Sequence, residues 1–274
     1  MNKQTTGLKR NTADKYYTTP PTVHNCIQQM KQHVKIHAHD LCIEPSAGNG
    51  AFIPDIKSLG CLYTFYDLEP EHNEIIKQNY LTLANPVTTT TTQKIHLIGN
   101  PPFGRQSSLA IQFIKKSAEF CDSISFILPK SFKKDSLKKH FPLSFHLIHE
   151  YDIPDNSFIV DNQPHNVPCV FQIWTKKEFP RIVPKKLIPR HFTFVKKEED
   201  HDISFRRVGV NAGAISKDTQ DKSIQSHYFI KFDIPFTDEL FYKIAAIRFT
   251  SSENTCGPKS ISKQELIKEF LMIL

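Results

Sequence analysis

Leu41-Cys42-Ile43-Glu44-Pro45-Ser46-Ala47-Gly48-Asn49-Gly50-Ala51-Phe52 is the stretch on which the fold turns. A short apolar run ends at an acid, two glycines follow in a polar turn, and apolar residues resume from Ala51-Phe52-Ile53 to Leu59 with helical spacing. The order strand, glycine turn, helix belongs to open α/β sheets, where ligands bind at the carboxyl ends of strands. Glycine is scarce here, nine in 274 residues, and Gly48 and Gly50 together with Gly99 and Gly104 flank two short motifs. In the first motif the missing side chains let a ligand approach the backbone and the start of the helix.

Working outward, Leu62-Tyr63-Thr64-Phe65-Tyr66 reads as a second strand that ends at Asp67, 23 residues after Glu44. That is close to the offset of about 20 residues at which an acid grips ribose hydroxyls in nucleotide-binding βαβ units. The chain lacks the full G-x-G-x-x-G pattern, which excludes the usual nicotinamide site, and no G-K-[ST] occurs, which excludes a P-loop. Ile95 to Ile98 forms a third strand, ended by Gly99-Asn100-Pro101-Pro102-Phe103-Gly104; a helix opens at Leu109, and Ser123 to Leu128 is a fourth strand. Such alternation predicts an α/β domain with a mainly parallel sheet. Phe145 to Tyr151 and Val167 to Trp174 read as a closing antiparallel pair around a polar loop.

Beyond Glu178-Phe179-Pro180 the sequence becomes basic and Pro-punctuated, which divides the chain into 1–178 and a small C-terminal region, 179–274. There, strands are expected at His191 to Val195 and His227 to Phe232, and helices at Asp238 to Ile247 and Ser262 to Leu271. The run Thr88 to Thr92 is a low-complexity spacer.

Asn100-Pro101-Pro102-Phe103 carries a chemical argument of its own. An exocyclic amine on an aromatic base is a poor nucleophile because its lone pair is delocalised into the ring. A catalyst must accept hydrogen bonds from both N–H groups and favour a pyramidal nitrogen. The Asn100 side-chain oxygen and the Pro101 carbonyl can do so, the consecutive prolines hold the loop extended, and Phe103 offers a flat face for an extruded base.

Taken in order, the Glu44 to Phe52 motif, Tyr66-Asp67-Leu68 and Gly99 to Gly104 resemble the successive motifs of class I S-adenosylmethionine-dependent methyltransferases, amino-methylating branch. Upstream, Asp14-Lys15-Tyr16-Tyr17-Thr18-Thr19-Pro20 resembles the Tyr-Thr-Pro motif of the N6-adenine members, with an extra Thr before the proline. The resemblance spans roughly residues 12–177. It implies a Rossmann-like domain with a mainly parallel seven-stranded sheet, an antiparallel closing strand and a small α+β C-terminal extension. It implies S-adenosylmethionine as cofactor, without a metal. Tyr17, Thr18, Glu44, Pro45, Ser46, Ala47, Gly48, Asp67 and Leu68 would line the cofactor, and Asn79, in Asn79-Tyr80-Leu81, would stand where relatives place an acid against the adenine. Asn100, Pro101, Pro102 and Phe103 would form the catalytic motif. The activity implied is methylation of adenine N6 in nucleic acid, with DNA ahead of RNA. The alternatives are guanine N2 of ribosomal RNA, a protein glutamine amide, or a methyltransferase-like subunit without activity.

With 39% hydrophobic and 23% charged residues, the chain has the composition of a globular domain and not of a disordered one. It shows no run of about 18 apolar residues and no apolar leader, so a cytoplasmic or nuclear protein, neither secreted nor membrane-bound, is expected. The six cysteines form no C-x-x-C pair, which argues against a zinc ribbon and for reduced thiols. His33, His37 and His39 have no Cys or acidic partner at ligand spacing and read as solvent-exposed.

The net charge of +7 is matched by the segment Lys176 to Lys197 alone, which holds eight Lys and Arg against Glu178. This suits a polyanion, and a solvated face equally well. Arg105, the lysines from Lys130 to Lys139, Asn156 and Phe158 in the loop from Pro154 to Pro168, and Arg206-Arg207 are the candidate nucleic-acid contacts. Each has a plain alternative: surface solubility for the lysines, an ordinary hairpin loop around Asn156, and an edge strand with exposed cations at Arg206.

Overall fold

A computed structural model describes residues 16–86 and 92–274. Asp14 and Lys15 of the N-terminal motif, and residues 88–91 of the threonine run, lie outside the described residues. Contacts divide the chain into two compact units, ending at Ile182 and beginning at Val183.

In the first unit β1 (Tyr17–Thr18) leads into α1 (Pro20–His33), followed by β2 (Leu41–Glu44), α2 (Ile53–Lys57), β3 (Leu62–Asp67) and β4 (Ile76–Lys77). Then come β5 (Ile95–Gly99), α3 (Ser108–Ala118), β6 (Ser123–Pro129), α4 (Asp135–Lys138), β7 (Phe145–Asp152), β8 (Phe158–Val160), β9 (Gln163–His165) and β10 (Cys169–Lys176). Seven strands form one sheet in the order β4-β3-β2-β5-β6-β10-β7. Pairing from β4 through β6 is parallel. β10 runs antiparallel to both β6 and β7. The mainly parallel seven-stranded sheet with its antiparallel strand is therefore as expected, in Rossmann-like form.

Every residue of β5 and β6 is buried, because both faces of the sheet centre are covered. Apolar cores lie on either side, one around Ile27, Phe52, Phe65 and Phe171, the other around Tyr80, Phe113, Phe126 and Trp174.

α1 has no counterpart among the sequence expectations. Its glutamines and histidines hide a narrow stripe, Val23, Cys26, Ile27 and Met30, that is buried at helical spacing, and Pro20 and Pro21 sit in the first turn, where a missing N–H costs no bond. α2 is shorter than the sequence suggests, five residues, so the glycine turn leads into little more than one helical turn. The loop from Pro154 to Pro168 holds a hairpin: β8 pairs with β9 and, on its other edge, with β1. Asp161 and Asn162 both have positive φ, as its two-residue turn requires.

The division at Ile182 falls a few residues beyond Pro180 because the basic segment is still tied to the first unit. The Arg181 guanidinium donates to the carbonyls of Lys138, Phe141, Pro142 and Phe145 and lies 5.3 Å from the centre of the Trp174 ring.

The second unit contains β11 (Phe192–Val195), β12 (Ile203–Arg206), β13 (Ile215–Ser216) and β14 (His227–Phe232), with α5 (Asp238–Ala245) and α6 (Lys263–Phe270). Its antiparallel sheet has the order β11-β14-β12-β13 and packs a core of Phe192, Phe205, Ile230, Phe232, Leu266 and Phe270. β12 and β13 were not legible in the sequence. Among the described residues, no helix is long and apolar enough to cross a membrane.

Candidate active site

The carboxyl ends of β2, β3 and β5 converge on one cavity of about 680 Å³, within the range of about 300–1,000 Å³ typical of small-molecule and cofactor sites. Tyr17, Thr18, Glu44, Pro45, Ser46, Ala47, Gly48, Asp67, Leu68, Asn79, Asn100, Pro101, Pro102 and Phe103 all line it. The catalytic and cofactor candidates chosen from sequence thus share a single cleft.

The glycine turn is laced to β3 by its backbone. Ala47 N donates to Tyr66 O at 2.8 Å, Gly48 N to Asp67 Oδ2 at 2.8 Å, and Glu71 N to Gly48 O at 3.0 Å. Asp67 Oδ1 accepts Glu69 N at 2.8 Å. Each Asp67 oxygen thus holds one backbone N–H and retains a lone pair for a ligand hydroxyl. Gly48 has φ +52°, and a Cβ there would stand 3.4 Å from the Tyr17 ring. The Tyr17 hydroxyl donates to Glu71 Oε1 at 2.6 Å, so the ring is fixed over the turn.

Two buried polar atoms in this cleft have no hydrogen-bond partner among the described residues: Glu44 Oε2 and Asn100 Oδ1. Glu44 is 2% exposed, and burial, reinforced by the charge of Asp67, pushes its carboxyl well above the ordinary glutamate range. Glycine on the neighbouring strand gives it room: a Cβ on Gly99, whose φ is +149°, would lie 3.1 Å from Glu44 Cγ, a tight contact.

Asn100 is oriented from its nitrogen end. Nδ2 donates to Tyr16 O at 3.2 Å and to Thr18 Oγ1 at 3.2 Å, which leaves Oδ1 as the unused acceptor. Ser46 Oγ donates to Asn100 O at 3.3 Å, joining the glycine turn to the Asn-Pro-Pro-Phe loop. The Pro101 carbonyl accepts no hydrogen bond from the described residues. Phe103 is half-buried, packed against both cores, and its carbonyl receives the N–H groups of Leu109 and Ala110.

Of the remaining candidates, one needs correction. Phe158, expected at the substrate, is 1% exposed: it pairs with Thr18 across β8 and β1 and belongs to the core. Lys130 is engaged by Asp152 at 3.6 Å, as is Lys133 at 2.8 Å, so this stretch forms a surface ion-pair cluster. Asn79 Oδ1 caps a turn by accepting Leu81 N at 3.0 Å, and its second lone pair and its amide nitrogen remain for a ligand. Arg105 and Asn156 are exposed outside the cavity lining. Arg206 and Arg207 belong to the second unit. His33, His37 and His39 are exposed.

Sequence reasoning missed Tyr16, Glu71 and Gln78 among the lining residues. Glu71 reaches Tyr17 across 54 residues, a pairing with no local signal. A Ser-His-Asp constellation, Ser123, His96 and Asp40, also exists, with His96 Nδ1 2.8 Å from Ser123 Oγ and His96 Nε2 3.4 Å from Asp40 Oδ2. It is buried at the opposite ends of the strands, and none of its three residues lines the cleft.

No family model matches the chain, and no curated protein is similar to it. Solved structures similar to it include a Pyrococcus horikoshii protein provisionally assigned as an RNA methyltransferase, with 16% identity and TM-score 0.46 over 63% of this chain and 93% of that one. The 23S rRNA methyltransferase ErmE matches at 12% identity and TM-score 0.44, over 62% of this chain and 73% of its own. The methyltransferase subunit of a type I restriction-modification system from Streptococcus thermophilus matches at 13% identity and TM-score 0.45, over 60% of this chain and 45% of its own.

Proposed function

We propose that the protein is an S-adenosylmethionine-dependent methyltransferase that modifies the exocyclic amine of adenine in nucleic acid, DNA ahead of RNA on the order of its motifs. The observation that carries the reading is Asn100: its nitrogen is committed to Tyr16 and Thr18 while its oxygen, buried and without a partner, remains to accept a proton-bearing group. A buried acceptor left unmade costs roughly 1–3 kcal/mol, a penalty that a bound amine removes.

The cofactor fits the cleft. Glu44 Oε2 is a buried acceptor awaiting a donor, and a cationic ammonium is the partner that suits a carboxyl so far from water. Asp67 would hold ribose hydroxyls through its remaining lone pairs, Leu68, 61% exposed at the cavity, offers an apolar face, and Tyr17 closes the turn. S-adenosylmethionine supplies an electrophilic methyl group on a sulfonium centre.

On the acceptor side, Asn100 Oδ1 and the Pro101 carbonyl would each take one amine N–H, drawing the nitrogen toward a pyramidal geometry and freeing its lone pair. Phe103 would support the ring face. The bound cofactor would supply the methyl group and keep the electrons of its carbon–sulfur bond, and the methylated, cationic nitrogen held by Asn100 and Pro101 would give up its proton to solvent. Strong basicity is not required of the site, since the proton leaves only after nitrogen has become cationic.

The test is Asn100→Ala measured on two axes. Turnover should fall about 100-fold or more, as when a donor that stabilises developing charge is removed from an active site. S-adenosylmethionine affinity should stay within a few-fold of wild type. Near-normal turnover would overturn the amine activation, and loss of cofactor binding would place Asn100 in the cofactor site instead.

A further inference from the structure

The second unit has a pocket of its own, about 330 Å³, whose lining includes Phe194, Lys196, His227, Tyr228 and Lys263. Its aromatic floor consists of the Phe194 and Tyr228 rings, which meet nearly edge to face with centroids 5.5 Å apart. Its rim is cationic. The Lys263 ammonium lies 4.4 Å from the centre of Phe194 and 5.6 Å from that of Tyr228. Beside the lining, the Arg207 guanidinium lies 5.5 Å from the centre of Tyr228 and donates to Gln225 O at 3.1 Å and to the Tyr228 hydroxyl at 3.5 Å.

Lys217, Lys231, Lys243 and Lys259 in the same unit are neutralised by carboxylates. Lys196, Arg207 and Lys263 pair with none among the described residues. One acid, Glu198, is part of the lining. Burial lowers the His227 pKa, and Arg206, Lys222 and Lys197 push it further down, against a hydrogen bond from the ring to the Ser223 carbonyl. The local field is thus positive.

We propose that this pocket binds an unpaired base of single-stranded nucleic acid together with its adjoining phosphate; the choice of occupant rests on the reading of the protein as a nucleic-acid methyltransferase. Flat rings stack any base, and cations without a carboxylate partner draw phosphates. A free anion has no use for the aromatic floor, and an acidic peptide brings no ring to stack on it. Lys263 now covers the Phe194 face, so a base that stacks there displaces the ammonium toward the solvent rim, where the phosphate of the same nucleotide takes it up. The exchange keeps the cation partnered in both states, once by a ring and once by a phosphate.

The experiment uses the full chain, with fluorescence anisotropy of a short labelled single-stranded DNA, the matching RNA and the matching duplex over a range of salt. Lys263→Glu and Arg207→Glu change exposed side chains, and thermal unfolding and cofactor binding confirm that each variant is folded. Each should weaken single-strand binding about fivefold or more. Each should also lower the slope of log K against log salt by about 0.7 per lost phosphate contact. Methylation of the same strand should suffer in KM and not in kcat.

Unchanged affinity in the double variant overturns the proposal. So does a duplex that binds as tightly as the single strand and is weakened equally, or polyglutamate that competes as well as the oligonucleotide. Methylation with affinity indifferent to both substitutions removes the pocket and leaves the methyltransferase reading. Binding that depends on Lys263 and Arg207 without any methyl transfer removes that reading and leaves the pocket.

Discussion

Replacing Thr18 by valine separates the orientation of Asn100 from its function as an acceptor. Thr18 is 5% exposed, pairs with Phe158 in the small sheet and accepts Asn100 Nδ2 at 3.2 Å. Valine keeps the branched shape and the strand preference, so the loss is confined to one hydroxyl. The amide then keeps a single acceptor, Tyr16 O, also at 3.2 Å.

Weakening the grip on a buried donor by one partner is worth roughly 1–3 kcal/mol. That energy now keeps Nδ2 inward and Oδ1 available. If about 1.4–2.8 kcal/mol of the preference disappears from the reacting geometry, kcat falls roughly 10–100-fold. The assay is initial-rate kinetics at saturating S-adenosylmethionine, with cofactor affinity measured by calorimetry and unfolding followed separately. Thr18→Ser, which restores the acceptor, should return kcat to within a few-fold of wild type. The reasoning is refuted if Thr18→Val turns over at the wild-type rate while the protein loses stability, for the hydroxyl would then serve packing alone.

Other consequences are as direct. Because burial already holds the Glu44 carboxyl above its ordinary value of 4.5, ionising it costs stability, so the free protein should lose stability as pH rises from that value through the raised one. A bound cation reverses the preference, so S-adenosylmethionine affinity should rise with pH, by up to about tenfold per unit, while Glu44 is protonated in the free protein. Titration calorimetry on wild type and Glu44→Gln checks this, and the same slope in both would contradict it. Asp67→Ala frees Gly48 N and Glu69 N as well as removing the ribose contact, and should weaken cofactor binding about tenfold or more. Arg181→Ala strips four carbonyls of their donor, and should cost about 2–3 kcal/mol and lower Tm by roughly 5–10 °C while leaving the salt dependence of nucleic-acid binding unchanged.

The central strands and the cleft were legible because their signals are local. Leu41–Glu44, Leu62–Asp67 and Ile95–Gly99 are apolar runs ending at an acid or a glycine, and the sheet carries those ends to one edge. α1 was not legible, since its buried stripe is interrupted by Gln and His along a largely polar helix. The hairpin β8–β9 lacked a signal because Asp161-Asn162 makes its turn without glycine, and its partner β1 lies far upstream in sequence. Phe158 misled for that reason: an aromatic in a polar loop looks exposed until the distant strand covers it. Within the basic segment, the part played by Arg181 was not legible, because it donates to main-chain carbonyls that the sequence does not mark. Thr18, by contrast, was chosen as a cofactor contact, and its position explains something more specific, the direction in which the Asn100 amide faces.

The measurement that bears most directly on the central claim is methyl transfer from isotopically labelled S-adenosylmethionine to duplex DNA, single-stranded DNA, structured RNA and total protein, each followed by digestion and mass spectrometry. The account predicts label on N6 of adenine in a nucleic acid, at a rate abolished by Asn100→Ala. Label on guanine or on protein, or tightly bound cofactor with no labelled product in any of the four, would contradict it.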